Sequence, residues 1–112
     1  MTGLSRGDIV LVNFLPAKGG EMGKLRPAII LSDSDDNEIL ETVIVIPLST
    51  HIEADALPYR YLIKKRDKLQ KNSDACIYEV RALSKTRVKE KLSVLTDKEL
   101  VIIQDALCQI VR

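Results

Sequence analysis

Arg26 is the side chain in this sequence best suited to chemistry on a phosphate. It stands in Glu21-Met22-Gly23-Lys24-Leu25-Arg26-Pro27, just after Gly19 and Gly20. A guanidinium is planar, permanently charged and forked, so it can offer paired N–H donors to phosphate oxygens. Pro27 pushes the residue before it toward extended backbone and away from helix. Arg26 therefore enters a strand with a restricted backbone, at the edge of a glycine-rich loop. Glu21 is a lone carboxylate in that loop, suited to act as a base or to hold Arg26. Ser49 and Thr50 follow a strand that Pro47 ends, where a hydroxyl can project into a cleft. Turn chemistry is the plain alternative for both. They could meet Arg26 only if the strands around Ala28 and Val43 are neighbours. His51 is a lone loop histidine that could contact a phosphate. Cys76 and Cys108 read as small apolar core residues, too few for a disulfide framework or a metal set.

The elements that must position these residues are short. Residues 8–14 are apolar and β-branched, the mark of a strand buried on both faces. Residues 28–31 form a second strand beginning after Pro27, and 42–46 a third, closed by Pro47. Residues 33–37 read as a polar turn. Residues 59–63 form a weakly alternating strand, 65–72 a polar connection with room for one helical turn, 75–83 a further strand and 88–95 the last. Thr96-Asp97-Lys98-Glu99 fits a capping box. Leu100, Ile103, Leu107 and Ile110 then share one helical face, widened by Ala106 and Val111. The breadth of that stripe suits a helix wedged between surfaces or one that helps form a subunit contact. Close-spaced strands punctuated by Gly and Pro predict a mainly β fold, a small barrel of antiparallel strands with one C-terminal α-helix. An alternating α/β layout is excluded, because no helix-length segments separate the strands.

The 112 residues make one domain, 1–112, and 46% hydrophobic content is enough for a modest core. No apolar run reaches membrane-spanning length and residues 1–7 carry no signal-peptide pattern, so the expectation is a soluble, intracellular protein with no membrane partner. The net charge of +1 hides an asymmetry. Residues 33–55 hold seven acids and no Lys or Arg, whereas residues 60–91 hold eleven Lys or Arg against four acids. Solvated loops of opposite sign would explain this, and so would a basic patch that meets a polyanion. One histidine rules out mechanisms that need a pair. No P-loop, dinucleotide fingerprint, zinc spacing or serine elbow is present, and no cofactor is expected.

Taken together, several segments resemble the MazF/PemK (Kid-like) endoribonuclease toxins of type II toxin–antitoxin systems. They are Arg6-Gly7-Asp8-Ile9-Val10-Leu11-Val12-Asn13-Phe14, Pro16, the Gly19 to Ala28 stretch, Val45-Ile46-Pro47-Leu48-Ser49-Thr50, Tyr78-Glu79-Val80-Arg81-Ala82-Leu83-Ser84-Lys85, and the terminal helix. The resemblance implies an SH3-like barrel, a homodimer, metal-free cleavage of single-stranded RNA (mRNA) at short sequences, and a cognate antitoxin whose acidic segment blocks the groove. It places the family's arginine on Arg26, its glutamate on Glu21 and its threonine on Ser49, with Thr50 beside it. Two departures stand out. Serine replaces the usual threonine at 49, and Glu79 stands where the family often has glutamine.

A metal-free site can use the neighbouring 2′-hydroxyl as nucleophile, leaving a 2′,3′-cyclic phosphate and a 5′-hydroxyl. Arg26 would stabilise the phosphoryl charge, Ser49 would bond the phosphate or orient the 2′-hydroxyl, and Glu21 would be the base, with His51 in reserve. Arg81, Lys85 and Arg87 would track the backbone. The loops 15–24, with Lys18 and Lys24, and 50–58, with His51, would read bases, and Glu79 would bear on substrate preference. Two alternatives remain open: a related CcdB-type toxin that poisons gyrase, and a non-catalytic RNA-binding barrel.

Overall fold

The structure is a computed structural model that describes residues 3–15 and 24–112. Lys18, Gly19, Gly20, Glu21 and Gly23 lie outside the described residues. Seven strands are found among those described: β1 (Asp8–Leu15), β2 (Lys24–Ile30), β3 (Thr42–Ser49), β4 (Arg60–Ile63), β5 (Ser73–Cys76), β6 (Arg81–Ser84) and β7 (Val88–Val94). Every pairing is antiparallel. The path runs β4-β5-β3-β2-β1-β7, with β6 also on β3. The expected barrel does not close strand on strand among the described residues. Its two ends meet through the segment after β4, where Lys68 N–H donates to the Leu92 carbonyl at 3.1 Å. The sheet is thus curled and barrel-like rather than fully closed.

Both faces of β1 are covered, as its composition predicts. Ile9 belongs to one core cluster with Ile29, Ile46, Leu48, Ile63 and Ile77. Val10 and Val12 belong to the other, with Ala28, Ile30, Val43, Val45 and Val88. Alternation along a strand sends successive side chains to opposite faces, so one strand serves two cores. Gly7 makes the turn into β1 at φ +94°, a conformation that costs glycine little and other residues much. Its N–H donates to Ile30 O and its carbonyl accepts from Leu95 N, both at 2.8 Å.

The terminal helix, α2 (Asp97–Ile110), has the predicted capping box. Ile103 and Ala106 are fully buried in the first core, and Leu100, Leu107 and Ile110 pack against it. Val111 does not widen the apolar face. It is the C-cap and is 67% exposed.

Three readings of local structure need correction. Residues 33–37 are more than a turn, because α1 (Ser34–Ile39) begins there with Asp33 as N-cap. Its anchor is a buried Asn37, whose Nδ2 donates to the Leu4 and Ser32 carbonyls. The stretch 75–83 is two strands, separated by a 3-10 turn at Ile77–Glu79. Within 65–72 there is no helix. Arg66 and Leu69 instead exchange backbone bonds.

That connection is held to α2 by an ion pair. Arg66 donates from both terminal nitrogens to the two carboxylate oxygens of Glu99, and Glu99 also accepts from Thr96 N–H as part of the cap. The Arg66 bonds foremost hold the Glu99 carboxyl below its ordinary range, against the opposing effect of burial. A depressed folded-state pKa contributes stability above the unfolded value and loses it as pH falls through the folded one. Glu99→Gln should therefore destabilise by about 1–2 kcal/mol at pH 7, the range for charge-assisted bonds. The deficit should shrink as pH falls below the unfolded carboxylate value of about 4.3 toward the lowered folded one. Urea unfolding of both proteins at pH 7 and pH 3.5 measures this, and an equal deficit at the two values would refute it.

Candidate active site

β2 and β3 pair at Ile30↔Val45, Ile29↔Ile46 and Ala28↔Pro47, and there the ladder stops. The reason lies in the sequence. Leu31 N–H donates to the Ile44 carbonyl. In an antiparallel ladder hydrogen-bonded pairs recur every second residue. The next positions in this register are therefore Ile29 with Ile46 and Pro27 with Leu48. Proline has no N–H to give, so the Leu48 carbonyl lacks its ladder donor. Arg26 supplies one: its Nη2 donates to Leu48 O at 2.9 Å. The same rhythm shows why β3 runs through Pro47 instead of ending there. Residue 47 directs its nitrogen to the other edge of β3, in the gap between Val45, the last partner of β6, and Leu48, the first partner of β5.

Beyond the end of this ladder lies a cleft of about 450 Å³, lined by Lys24, Leu25, Arg26, Pro27, Leu48, Ser49 and Thr50. Arg26 and Ser49, expected to meet only if their strands were neighbours, therefore share one wall-to-wall space. Lys24 stands at its lip, exposed, as does Thr50. The guanidinium is aimed by more than Leu48. Arg26 Cζ lies 5.9 Å from the centroid of the Phe14 ring, and Arg81 Cζ lies 5.5 Å from the same centroid. Arg87 Nη1 donates to the Phe14 carbonyl at 3.3 Å. Phe14 thus gathers three arginines through its negative ring face and its backbone. Arginines brought together, none of them ion-paired among the described residues, make a local positive field suited to a phosphodiester.

Other expected residues are placed differently. Ser49 Oγ accepts from His51 N–H at 3.2 Å, so part of its role is turn chemistry. His51 is 75% exposed at its side chain and sits 3.3 Å from Glu53. Lys85 lies at the far end of β3, next to the Ser84↔Thr42 pair, and donates to the Asn37 carbonyl of α1. Glu79 is exposed and makes no ion pair with Arg81 among the described residues. Cys76 is buried; burial first raises its thiol, Arg60 opposes that, Glu79 adds to it and Arg26 opposes it, for a net shift upward. A thiol held protonated is a poor nucleophile.

The basic segment 60–91 is partly neutralised internally. Arg60 pairs with Asp74, Arg66 with Glu99, Lys68 with Glu90 and Lys91 with Asp8. Fewer cations are thus free of an ion pair among the described residues than the charge count implies, Arg26, Arg81 and Arg87 among them. Two site neighbours were absent from the expected set, Phe14 and the buried Asp74. An aromatic near the end of a core strand was a faint signal for the first. Nothing local marked the second.

Comparison with known proteins agrees with this fold. The family model of the PemK-like, MazF-like toxin of type II toxin-antitoxin systems matches residues 5–111. Proteins named endoribonuclease MazF, from Staphylococcus saprophyticus and from Staphylococcus epidermidis, are each 34% identical over 105 residues, covering 93% of this chain and 88% of theirs. The crystal structure of MazF from Deinococcus radiodurans superposes with a TM-score of 0.75 at 22% identity, over 96% of both chains. An endoribonuclease in complex with its cognate antitoxin, from a mycobacterial species, gives 0.75 at 18% identity, over 97% of this chain and 95% of the other. At those identities the structural likeness speaks to the fold alone, and the family rests on the sequence match: the chain belongs to the PemK-like, MazF-like toxins of type II toxin–antitoxin systems.

Proposed function

We propose that this chain is a sequence-specific, metal-independent endoribonuclease that cleaves single-stranded RNA, the mRNA-cutting toxin of a toxin–antitoxin pair. The observation that carries this reading is the meeting of Arg26 and Ser49 in one cleft at the splayed end of β2 and β3. The names of the curated relatives support the reaction class.

In the proposed reaction the 2′-oxygen attacks phosphorus and the bond from phosphorus to the 5′-oxygen breaks. The 2′-hydroxyl proton goes to a base, and the leaving 5′-oxygen gains one. The products are a 2′,3′-cyclic phosphate and a 5′-hydroxyl. Arg26 supplies the charge stabilisation: a guanidinium has five N–H donors, and the described residues engage one of them, through Leu48 O. Arginine stays protonated at ordinary pH and is a poor base. Glu21 takes that role in this proposal, and His51 or water returns the proton. Ser49 bonds a phosphate oxygen or the 2′-hydroxyl, with Thr50 as neighbour. Arg81 and Arg87 follow the backbone, and Lys18, Lys24 and the 50–58 loop contact bases.

The protein works in the cytoplasm as a homodimer in this reading, held in check by a cognate antitoxin. Family membership supports the antitoxin, and solved relatives are described in complex with one. Exposed Val94 and Val101, 47% and 54% accessible, add apolar surface for a second copy. Among the described residues, no helix is long and apolar enough to cross a membrane.

The test is end analysis of a mixed-sequence single-stranded RNA after incubation with the protein in EDTA. Discrete cuts with cyclic-phosphate and 5′-hydroxyl ends are expected. Intact RNA would turn the reading to a gyrase-directed toxin or a non-catalytic binder. Ser49→Ala should slow cleavage by about tenfold, the effect of losing one neutral hydrogen bond. An unchanged rate would move the hydroxyl's role to Thr50.

A further inference from the structure

Asp74 is a carboxylate at 1% exposure in β5, a strand whose four residues are all buried. A buried charge is costly unless it is paired and hydrogen-bonded. Asp74 has both kinds of partner, and they lead to the active-site strand. Its Oδ2 accepts from Arg60 Nε at 3.0 Å and from Glu53 N–H at 2.8 Å. Arg60 extends the chain of bonds, since its Nη2 donates to the His51 carbonyl at 2.9 Å. Asp74 is also the backbone partner of Ser49 in the β3–β5 pairing.

These contacts converge on three consecutive residues. His51, Ile52 and Glu53 leave the end of β3 without joining a strand or helix. No sheet ladder holds them. Among the described residues three bonds do: His51 N–H to Ser49 Oγ, His51 O from Arg60, and Glu53 N–H to Asp74. Two of the three depend on the buried ion pair. Thr50, which lines the Arg26 cleft, lies between β3 and this clamped segment.

We propose that Asp74 and Arg60 are positioning residues for catalysis, their ion pair holding the 50–53 segment so that the Ser49 and Thr50 hydroxyls face Arg26. This rests on the reading of Arg26 and Ser49 as the catalytic site. A buried pair is seldom the most stable filling for its space, and apolar residues of similar volume often do as well or better. The pair's contribution is then to geometry, and geometric errors of about 1 Å can slow an enzyme about 100-fold.

The distinction between geometry and stability sets the experiment. Asp74→Leu/Arg60→Met replaces the pair by an apolar filling. The double variant should melt at or above the wild-type temperature and cleave a preferred RNA site with kcat reduced about tenfold or more. KM should change less than about threefold, because the phosphate-binding arginines are untouched. Wild-type kcat in the folded double variant overturns the proposal. Arg60→Gln/Asp74→Asn decides the matter if the apolar double variant does not fold, since it removes the Arg60 guanidinium from His51 without leaving a buried unpaired charge. It too should lower kcat, and unchanged kcat overturns the proposal. A cycle with Ser49→Ala adds a second readout. If the clamp acts through Ser49, the Arg60→Gln/Asp74→Asn effect should fall below about threefold in the Ser49→Ala background, and fully multiplicative losses count against it. Arg26→Ala run in parallel separates the two hypotheses: full activity there removes the catalytic-site reading, whereas lost activity there with unchanged clamp variants removes only this one.

Discussion

Arg26→Ala is expected to reduce cleavage at a preferred RNA site by about 100-fold or more while leaving the fold intact, the usual consequence of removing a donor that meets transition-state charge. The size of the effect follows from the placement. The guanidinium is fixed at one end by Leu48 O and at its face by Phe14, so little reorganisation remains when phosphoryl charge develops. Its removal leaves Leu48 O without that donor at the cleft wall, a stability loss of about 1 kcal/mol. Melting temperature and circular dichroism should therefore stay close to wild type, and kcat carries the change. Arg26→Lys keeps the charge but loses the fork, and it cannot bond Leu48 O and a phosphate with the same geometry. It should recover only a minor part of the loss. Cleavage by purified Arg26→Ala within threefold of wild type would remove Arg26 from the mechanism and leave Arg81 and Arg87 as the cations to examine.

Much of this framework could be read from residue order. Ile9 to Val12, Ala28 to Ile30 and Thr42 to Ile46 are largely apolar runs that each lie within a strand, the first two covered on both faces and the third with Thr42 and Ile44 exposed. The capping box before α2 is a local signal with a local cause. What could not be read depended on distant partners. α1 is polar and six residues long, and it is held by Asn37 reaching Leu4, 33 positions away. The break within 75–83 falls where the chain passes from β5, paired with both β4 and β3, to β6, paired with β3 further along, which an apolar run does not encode. Asp74 looked like a loop residue before a strand. Its meaning came from lying beside Ser49 in the sheet. The Arg26–Pro27 pair was legible as a feature, whereas its purpose depended on the register against Leu48.

That register yields the second large expectation. Pro27→Ala supplies an N–H where the β2–β3 ladder next needs a donor, directly in competition with Arg26 for Leu48 O. The new ladder bond is worth about 0.5–1.5 kcal/mol. Against it stands the loss of proline's restraint on the unfolded chain, about 0.4–1 kcal/mol. Stability should therefore change little. The site changes more: the cleft narrows as the ladder extends by one pair, Arg26 loses its carbonyl anchor, and its backbone is no longer held extended by the following proline. We expect kcat to fall about tenfold, with the amide of residue 27 in the variant protected from hydrogen exchange. Protection and slow cleavage should appear together, because one bond produces both. A variant whose residue-27 amide exchanges freely and whose kcat matches wild type would show that Arg26 finds its place without the gap that proline leaves in the sheet.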